Sequence, residues 1–331
     1  MPPLFASPID DASRTGPRLF PPGSWDTHHH IFDLDKFPLA DTRHFTPDSA
    51  PLSALCQFHR DLGIDHAGLS HGLSFGSDIS SLEHYMEYFE GTARAYGVIN
   101  LETVTDEELD RLAAKGICGI RIDFHLHHCQ HDLEAQKKWL QAYTERVAGH
   151  LTGVQVYSPH PEFWDELTPI VLNSPVPIVL DHFGGLRTRS FVEYLARQSN
   201  DPAALAAASS FDVLSQPGLA AIKGLLQSGK LYLKFSAPYR VSEDPTYEDM
   251  EPLVRDLVSA NPSGILYGSD WPHTQPFHRR PKDLKPEDTE HFVNFDDRAW
   301  VTKLKSWMSD EDWQKMMVDN PRRLYGYTRD D

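Results

Sequence analysis

The sequence predicts an α/β protein that folds as a single (β/α)8 barrel, or TIM barrel. Short apolar runs alternate with amphipathic stretches along the 331 residues, a pattern typical of βαβ units that build a parallel sheet. Eight such runs are present, and eight βα units fit a chain of this length. The competing architecture is a doubly wound open sheet. No G-x-G-x-x-G motif follows the first run, so its commonest dinucleotide-binding signature is missing.

The predicted strands are short and apolar. In chain order they are 24–32 (SWDTHHHIF), 66–73 (HAGLSHGL), 95–100 (AYGVIN), 116–124 (GICGIRIDF), 152–158 (TGVQVYS), 176–182 (VPIVLDH), 231–237 (LYLKFSA) and 264–270 (GILYGSD). Helical patterns separate most of them, for example at 106–116 and 134–150. Two further segments look inserted, 186–212 after the sixth strand and 274–297 after the eighth. Barrel enzymes build their active-site loops after the strands, so we expect both insertions beside the active site.

The chain divides into a Pro-rich arm, residues 1–22, and a barrel domain, residues 23–331. We expect the arm to lie on the surface or on a partner subunit, as in a homodimer, with a flexible tail as the alternative. No basic region precedes an apolar run at the N-terminus, which argues against a secretion signal. No apolar stretch reaches the ~18 residues that span a bilayer.

Charge and cysteine content restrict the partners and the compartment. The 31 basic and 48 acidic residues give a net charge of −17, which disfavours nucleic acid and anionic membranes as partners. A small anionic substrate stays compatible with this charge, because a local arginine cluster can hold a carboxylate. Cys56, Cys118 and Cys129 form no C-x-x-C pair, which indicates reduced thiols and a cytoplasmic protein.

Three consecutive histidines stand in the first predicted strand. Side chains two positions apart on a strand point to the same face. We therefore expect Asp26, His28 and His30 to share one face and His29 to point away. If that face is the barrel interior, two imidazoles lie near the catalytic mouth.

Further polar side chains stand at the ends of later strands. His182 closes the sixth strand, and Asp270 and His273 follow the eighth. At this end of a barrel strand, polar groups indicate function. His28, His30, His182 and Asp270 together could bind one divalent metal and leave a position open for water. Alternatively, they could act without metal, with Asp270 as general base and the imidazoles polarising a carbonyl.

The motifs DTHHH, LDHFGG, YGSDWPH and the terminal NPRRLYGY (320–327) resemble those of the amidohydrolase-related (amidohydrolase 2) family of the amidohydrolase superfamily. Within it, the sequence is most similar to the lactonases that resemble 2-pyrone-4,6-dicarboxylate hydrolase. Additional matches are RHFTPDSAPLSAL (43–55), GIRIDF (119–124), VQVY (154–157) and LKFSAPYRVS (233–242). The resemblance extends from about residue 24 to 327.

The resemblance implies a hydrolase that opens a carboxylated lactone by attack of water. In that reaction Asp270 takes the proton from water. His28, His30 and His182 stabilise the oxyanion, through a metal or directly. The implied cofactor is one divalent metal, Zn or Mn, although some members work without metal. The alternative activity on the same scaffold is metal-dependent decarboxylation of an aromatic or unsaturated acid.

Substrate carboxylates would be bound by arginines at strand ends. Arg121 and Arg240 match the family pattern, and each offers a bidentate fork for a carboxylate. Tyr157, at the end of the fifth strand, could donate a hydrogen bond. Ser77 lies where a helix N-terminus could hold an anionic oxygen, and His273 is a further substrate-binding candidate.

One position departs from the family pattern. The dicarboxylate hydrolases carry a second arginine six residues after the first, where this sequence has His127. A neutral imidazole does not replace a guanidinium fork, so the pyrone dicarboxylate itself is a doubtful substrate. Histidines crowd segment 125–131, HLHHCQH, whose spacing fits no zinc pattern and predicts a solvated loop with His125 or His127 towards the substrate. The basic residues 278–280, HRR, predict an exposed loop tip or a steering site for anions.

Overall fold

A computed structural model describes residues 18–199, 201–281 and 283–329. Most of the predicted arm, residues 1–17, lies outside the described residues. Its last residues contact the barrel: Leu19 N donates to the Leu62 carbonyl, and the buried Phe20 ring packs on Tyr267 and Trp313.

The predicted (β/α)8 barrel is confirmed. Each of the eight strands lies within its predicted segment, except that the third begins one residue before it. They are β1 (Trp25–Asp26), β2 (His66–Ser70), β3 (Arg94–Gly97), β4 (Ile117–Ile122), β5 (Gly153–Val156), β6 (Ile178–Leu180), β7 (Leu231–Phe235) and β8 (Ile265–Tyr267). Each strand pairs in parallel with the next. The Thr27 amide donates to the Tyr267 carbonyl at 3.0 Å, and this bond joins β1 to β8 and closes the barrel.

The helices surround the strands. They are α1 (Leu52–Leu62), α2 (Ser80–Tyr88), α3 (Asp106–Ala114), α4 (Leu133–Val147), α5 (Trp164–Asn173), α6 (Arg189–Ser199), α7 (Pro202–Ser209), α8 (Leu219–Gln227), α9 (Glu251–Ala260), α10 (Asp297–Ser306), α11 (Asp310–Gln314) and α12 (Asn320–Leu324). Thr105 and Asp132 cap α3 and α4 by accepting backbone N–H bonds, so these helices begin at polar caps. None of the helices in the described ranges is long and apolar enough to cross a membrane.

The two predicted insertions differ in structure. Segment 186–212 holds α6 and α7. Segment 274–297 contains little regular structure, but its residues Thr289–Glu290 pair in parallel with Thr46–Pro47 from the loop after β1. The loops that follow the first and last barrel strands are therefore tied together at the C-terminal end of the barrel.

The barrel interior changes from apolar to polar along its axis. An apolar cluster fills the N-terminal end and consists of Trp25, Tyr96, Cys118, Val179, Leu266, Leu324, Tyr325 and Tyr327. A Cβ at Gly119 would lie 2.1 Å from the Tyr96 ring, so only glycine leaves room for this aromatic side chain. The next layer contains buried Ser70, Gln155 and Lys234. The active-site candidates lie above that polar layer.

Candidate active site

Four residues predicted from strand ends meet at the C-terminal mouth of the barrel. The Oδ1 atom of Asp270 lies 3.4 Å from Nε2 of His28, 3.7 Å from Nε2 of His30 and 3.9 Å from Nε2 of His182. All four side chains are almost fully buried. Three imidazole nitrogens and one carboxylate oxygen thus surround a single point.

The contacts of each Nδ1 atom bear on which nitrogen of the imidazole ring carries the proton. His30 Nδ1 lies 2.8 Å from the carbonyl oxygen of Ser70, which only accepts, so Nδ1 carries a proton and the neutral tautomer of this ring presents a lone pair at Nε2. His28 Nδ1 faces a carboxylate oxygen of Asp181 at 3.1 Å, which favours the same tautomer. The Nδ1 of His182 contacts Ser236 Oγ at 2.8 Å, a hydroxyl that donates or accepts.

Asp270 is held by two residues that donate to its other oxygen. The Tyr239 hydroxyl donates to Oδ2 at 2.6 Å, and the Arg240 Nε and Nη2 groups donate at 3.2 Å each. Burial raises the pKa of this carboxyl, but the Arg240 guanidinium and the neighbouring imidazoles outweigh it and hold the pKa well below its usual range. Asp270 is therefore ionised, with Oδ1 directed at the histidines. Its backbone has φ near +60°, so this side chain is presented from a left-handed turn.

A second layer of buried polar groups lies beneath the histidines, and sequence reasoning did not assign it. Asp181 contacts Lys234 Nζ at 3.3 Å and accepts a hydrogen bond from Gln155 Nε2 at 2.8 Å, besides its contact with His28. Lys234 Nζ is also 3.3 Å from His28 Nδ1. The sequence signal was present, because Gln155, Asp181 and Lys234 are polar residues within apolar strand runs.

Asp26 corrects one expectation about the first strand. It was expected to share a face with His28 and His30, but its Oδ2 atom lies 3.2 Å from His29 Nδ1 and 3.2 Å from His59 Nε2. Its carboxylate also accepts bonds from the Ser269 amide and hydroxyl at 2.9 and 2.6 Å. Of Asp26, His28 and His30, only the two histidines face Asp270. The irregular backbone past Asp26, where β1 ends, breaks the simple two-residue alternation.

The Asp270 cluster fits a divalent metal. Among the described residues, His28 Nε2 and Asp270 Oδ1 are buried without a hydrogen-bond partner, and the lone pairs of His28 and His30 face a carboxylate oxygen. Such acceptors repel one another unless a cation or a proton lies between them. His28, His182 and Asp270 also each offer one ligand atom within 4.8 Å of the others. Imidazole and carboxylate are ligands that Zn accepts. Asp26, His29 and His59 satisfy the same distance criterion, but the Oδ2 atom of Asp26 already accepts the Ser269 hydroxyl at 2.6 Å and contacts His59 Nε2 at 3.2 Å.

A pocket opens directly above this cluster. Of the predicted substrate-binding residues, Arg121, Tyr157 and Arg240 line it. Arg121 donates to the His71 carbonyl at 3.0 Å, and the Tyr157 ring packs on His182 at 5.2 Å between centroids. Most N–H groups of Arg240 donate to Asp270 or to the carbonyl and hydroxyl of Thr274, the latter two at 2.8 Å each. Arg240 therefore already orients Asp270 when no substrate is bound.

Three other predicted substrate-binding residues do not line the pocket. Ser77 is exposed, in the loop that precedes α2. His127 stacks on Trp139 at 3.9 Å and contacts the Tyr143 hydroxyl at 3.0 Å, so it packs between its loop and α4. His273 turns away from the pocket and contacts Asp297 Oδ2 at 3.0 Å.

Comparison with known proteins identifies the family of this barrel. The model of the amidohydrolase family matches residues 25–327. The chain belongs to the amidohydrolase family. It is 27% identical over 316 residues to a 4-sulfomuconolactone hydrolase of Hydrogenophaga intermedia, covering 93% of this chain and 90% of the relative. It is 25% identical over 312 residues to a 2-pyrone-4,6-dicarboxylate hydrolase of Comamonas testosteroni, covering 92% of this chain and 90% of that protein.

A crystal structure of an Agrobacterium tumefaciens protein in its apo form shares the fold. Its TM-score is 0.70 at 21% identity, and the match covers 94% of this chain and 98% of the other. The two proteins therefore share the barrel fold over nearly the whole of both chains.

Two pocket residues of this amidohydrolase were absent from the predicted site, although Arg280 belongs to the HRR run for which an anion-steering site was one expectation. His44 and Arg280 line the pocket together with His125, which was one of two histidines expected to face the substrate. His44 stands within the RHFTP segment and Arg280 ends the HRR run. Both lie on irregular loops, where no periodicity reports the direction of a side chain.

Proposed function

We propose that this amidohydrolase is a hydrolase that opens a carboxylated lactone, of the 2-pyrone-carboxylate or a related kind, by attack of water. The observation that carries the proposal is the position of Asp270 Oδ1 and three imidazole nitrogens at the base of a pocket lined by three arginines: Arg121, Arg240 and Arg280. A base for water, groups for a developing oxyanion and cations for a carboxylate thus lie within one cavity. The lactone hydrolases among the relatives support the same reaction.

A water molecule beside Oδ1 of Asp270 loses a proton to that oxygen while its own oxygen forms a bond to the lactone carbonyl carbon. The ring C–O bond then breaks, and the proton passes from Asp270 to the leaving oxygen. Tyr239 and Arg240 keep Oδ2 occupied, so Oδ1 is the oxygen that moves the proton.

The tautomers favour participation of a metal. His28 and His30 direct lone pairs at the reaction point, and a lone pair cannot donate a hydrogen bond to an oxyanion. We propose that His28, His30, His182 and Asp270 hold one divalent metal, Zn or Mn. When bound, that metal would lower the pKa of the attacking water and polarise the lactone carbonyl. A weakly basic carboxylate such as Asp270 then suffices as the proton acceptor.

A panel of carboxylated lactones tests the function. We expect ring opening, followed by absorbance or by base uptake, for lactones that carry a carboxylate beside the ring oxygen. Asp270→Asn should lower turnover at least ~100-fold with the fold intact. Asp48→Asn, whose carboxylate pairs with exposed His291, is the matched control and should retain activity. Release of CO2 from an aromatic or unsaturated acid, without opening of any lactone, would show that the chain is a decarboxylase instead.

A further inference from the structure

We propose that Asp26 is a positioning residue for this site. Its buried carboxylate, bonded to Ser269 and His59, sets the separation between His28 and Asp270, which follow the first and the last strand of the barrel. The inference goes beyond the proposed function, because it concerns how two groups of the site are held and applies to any substrate that the pocket accepts.

One oxygen of Asp26 joins the two segments that carry these groups. Its Oδ1 atom accepts the amide of His28 at 3.2 Å and the amide of Ser269 at 2.9 Å. His28 lies just past β1 and Ser269 just past β8, where the barrel closes. Because Ser269 directly precedes Asp270, a single atom holds the backbone of His28 against the backbone beside Asp270.

The other oxygen of Asp26 holds the turn at Asp270. Its Oδ2 atom accepts the hydroxyl of Ser269 at 2.6 Å, and that hydroxyl oxygen accepts the Trp271 amide at 3.0 Å. The residues on both sides of Asp270 are thereby connected to Asp26. Asp270 itself has a φ near +60°, a left-handed conformation that is uncommon outside glycine and that neighbouring contacts must maintain.

Two histidines that the proposed reaction does not use complete the surroundings of Oδ2. His59 Nε2, from α1, and His29 Nδ1 each lie 3.2 Å from this oxygen. Like Asp26 and Ser269, both histidines are almost fully buried, and none of these four residues lines the pocket. Asp26 therefore affects the reaction through His28 and Asp270 and does not contact the substrate.

The separation that Asp26 controls is short and sensitive. Oδ1 of Asp270 lies 3.4 Å from Nε2 of His28. Groups at a reaction site must be held within about 0.5 Å, and an error of about 1 Å lowers the rate about 100-fold. A carboxylate accepts at both oxygens, whereas an amide accepts at one atom and donates at the other. Asp26→Asn thus keeps the shape of the side chain and loses one of the two acceptors.

Crystal structures of the wild type and of Asp26→Asn test the inference, together with steady-state kinetics on a lactone that the wild type opens. We expect the separation between His28 Nε2 and Asp270 Oδ1 to change by at least about 0.5 Å in the variant. The value of kcat should fall at least ~10-fold, while KM should change less than about threefold because the pocket lining is intact.

Variants of Ser269 provide a milder test, which decides the inference if Asp26→Asn does not fold. Ser269→Ala removes the hydroxyl bond and keeps the amide bond, so kcat should fall at least ~3-fold. Ser269→Thr keeps a hydroxyl and should retain kcat within about twofold. The matched control is Asp249→Asn. The Asp249 carboxylate also accepts a serine hydroxyl, from Ser242 at 2.6 Å, and an amide, from Ser190 at 3.4 Å, but Asp249 does not line the pocket. It should keep wild-type kcat.

Two results would overturn the role of Asp26. The first is an unchanged separation between His28 and Asp270 in folded Asp26→Asn protein, whatever the change in kcat. The second is an equal fall in kcat for Ser269→Ala and Ser269→Thr, as expected if only the packing around Ser269 matters. Failure of the lactone panel together with an altered separation would reject the hydrolase reaction and leave the role of Asp26 standing.

Discussion

The hydroxyl of Tyr239 donates a 2.6 Å hydrogen bond to Oδ2 of Asp270, the carboxylate oxygen that faces away from the histidines. Tyr239 is fully buried, and its ring lies on Phe295. This contact and the Arg240 fork together decide which oxygen of Asp270 meets the reaction point.

Loss of the Tyr239 hydroxyl should affect catalysis more than substrate binding. Tyr239→Phe keeps the ring and removes the donor, so Asp270 loses part of its orientation. We expect kcat to fall about 10-fold and KM to change less than about threefold. Tyr247→Phe is the control, because Tyr247 packs on the same Phe295 without contacting Asp270. A Tyr239→Phe enzyme with wild-type kcat would assign the orientation of Asp270 to Arg240 alone.

The buried pair of Lys234 and Asp181 should matter for stability. Lys234→Met leaves Asp181 charged inside the barrel without its nearest cation, and we expect the free energy of unfolding to fall by about 3 kcal/mol. The control is Lys223→Met, which breaks a Lys–Asp pair in a partly exposed setting and should cost less than about 1 kcal/mol. Urea unfolding measures both values. Equal losses in the two variants would contradict the role assigned to the buried pair.

Metal removal should abolish turnover. Elemental mass spectrometry of the purified protein is expected to find about one Zn or Mn per chain, and chelation should lower metal content and turnover in parallel. His182→Asn should retain less metal, whereas His273→Asn, outside the pocket, should retain the wild-type amount. A metal-free protein with full, chelator-resistant activity would assign the reaction to Asp270 and the imidazoles alone.

His127 should be dispensable for the reaction. It packs on Trp139 and Tyr143, away from the pocket, so His127→Gln should leave kcat/KM within about twofold of the wild type. The same substitution at His125, which lines the pocket, serves as the comparison. A large rise in KM for His127→Gln alone would place the substrate differently.

Buried His71 should make the fold sensitive to acid. Its Nδ1 accepts the Val98 amide at 3.3 Å, and burial and then Arg121 lower its pKa to about 3. In the unfolded chain the His71 imidazole takes up a proton near pH 6.5. The stability that neutral His71 gives the fold is therefore complete above that pH and is lost as the pH falls towards 3. At pH 5 the loss is about 2 kcal/mol relative to pH 8. His71→Gln should flatten the dependence of unfolding free energy on pH by that amount, whereas exposed His291→Gln should not.

The strand ends could be predicted from the sequence because a barrel places them by simple rules. Apolar runs locate the strands, and the end of each strand is the mouth, so His182 and Asp270 were assigned without knowledge of any contact. The two-residue alternation was correct for His28 and His30 and failed for Asp26, since strand pairing ends there and the chain bends into a loop.

The loops could not be predicted in this way. His127 and His125 are two residues apart in one irregular segment, yet only His125 faces the pocket. The direction of such side chains depends on packing partners such as Trp139, which lie elsewhere in the sequence. Arg280 is directed inward by Glu290 and by two aromatic rings, and no local pattern reports those contacts.

The aromatic floor of the barrel has a consequence for folding. Trp25, from the first strand, lies 5.1 Å from Tyr325 and 5.0 Å from Tyr327, ring centre to ring centre. These contacts join residues that are far apart in the sequence, and contacts of that kind form slowly. We therefore expect the segment that bears His28 to reach its final position late in folding, after strand β1 has met the segment around Tyr325.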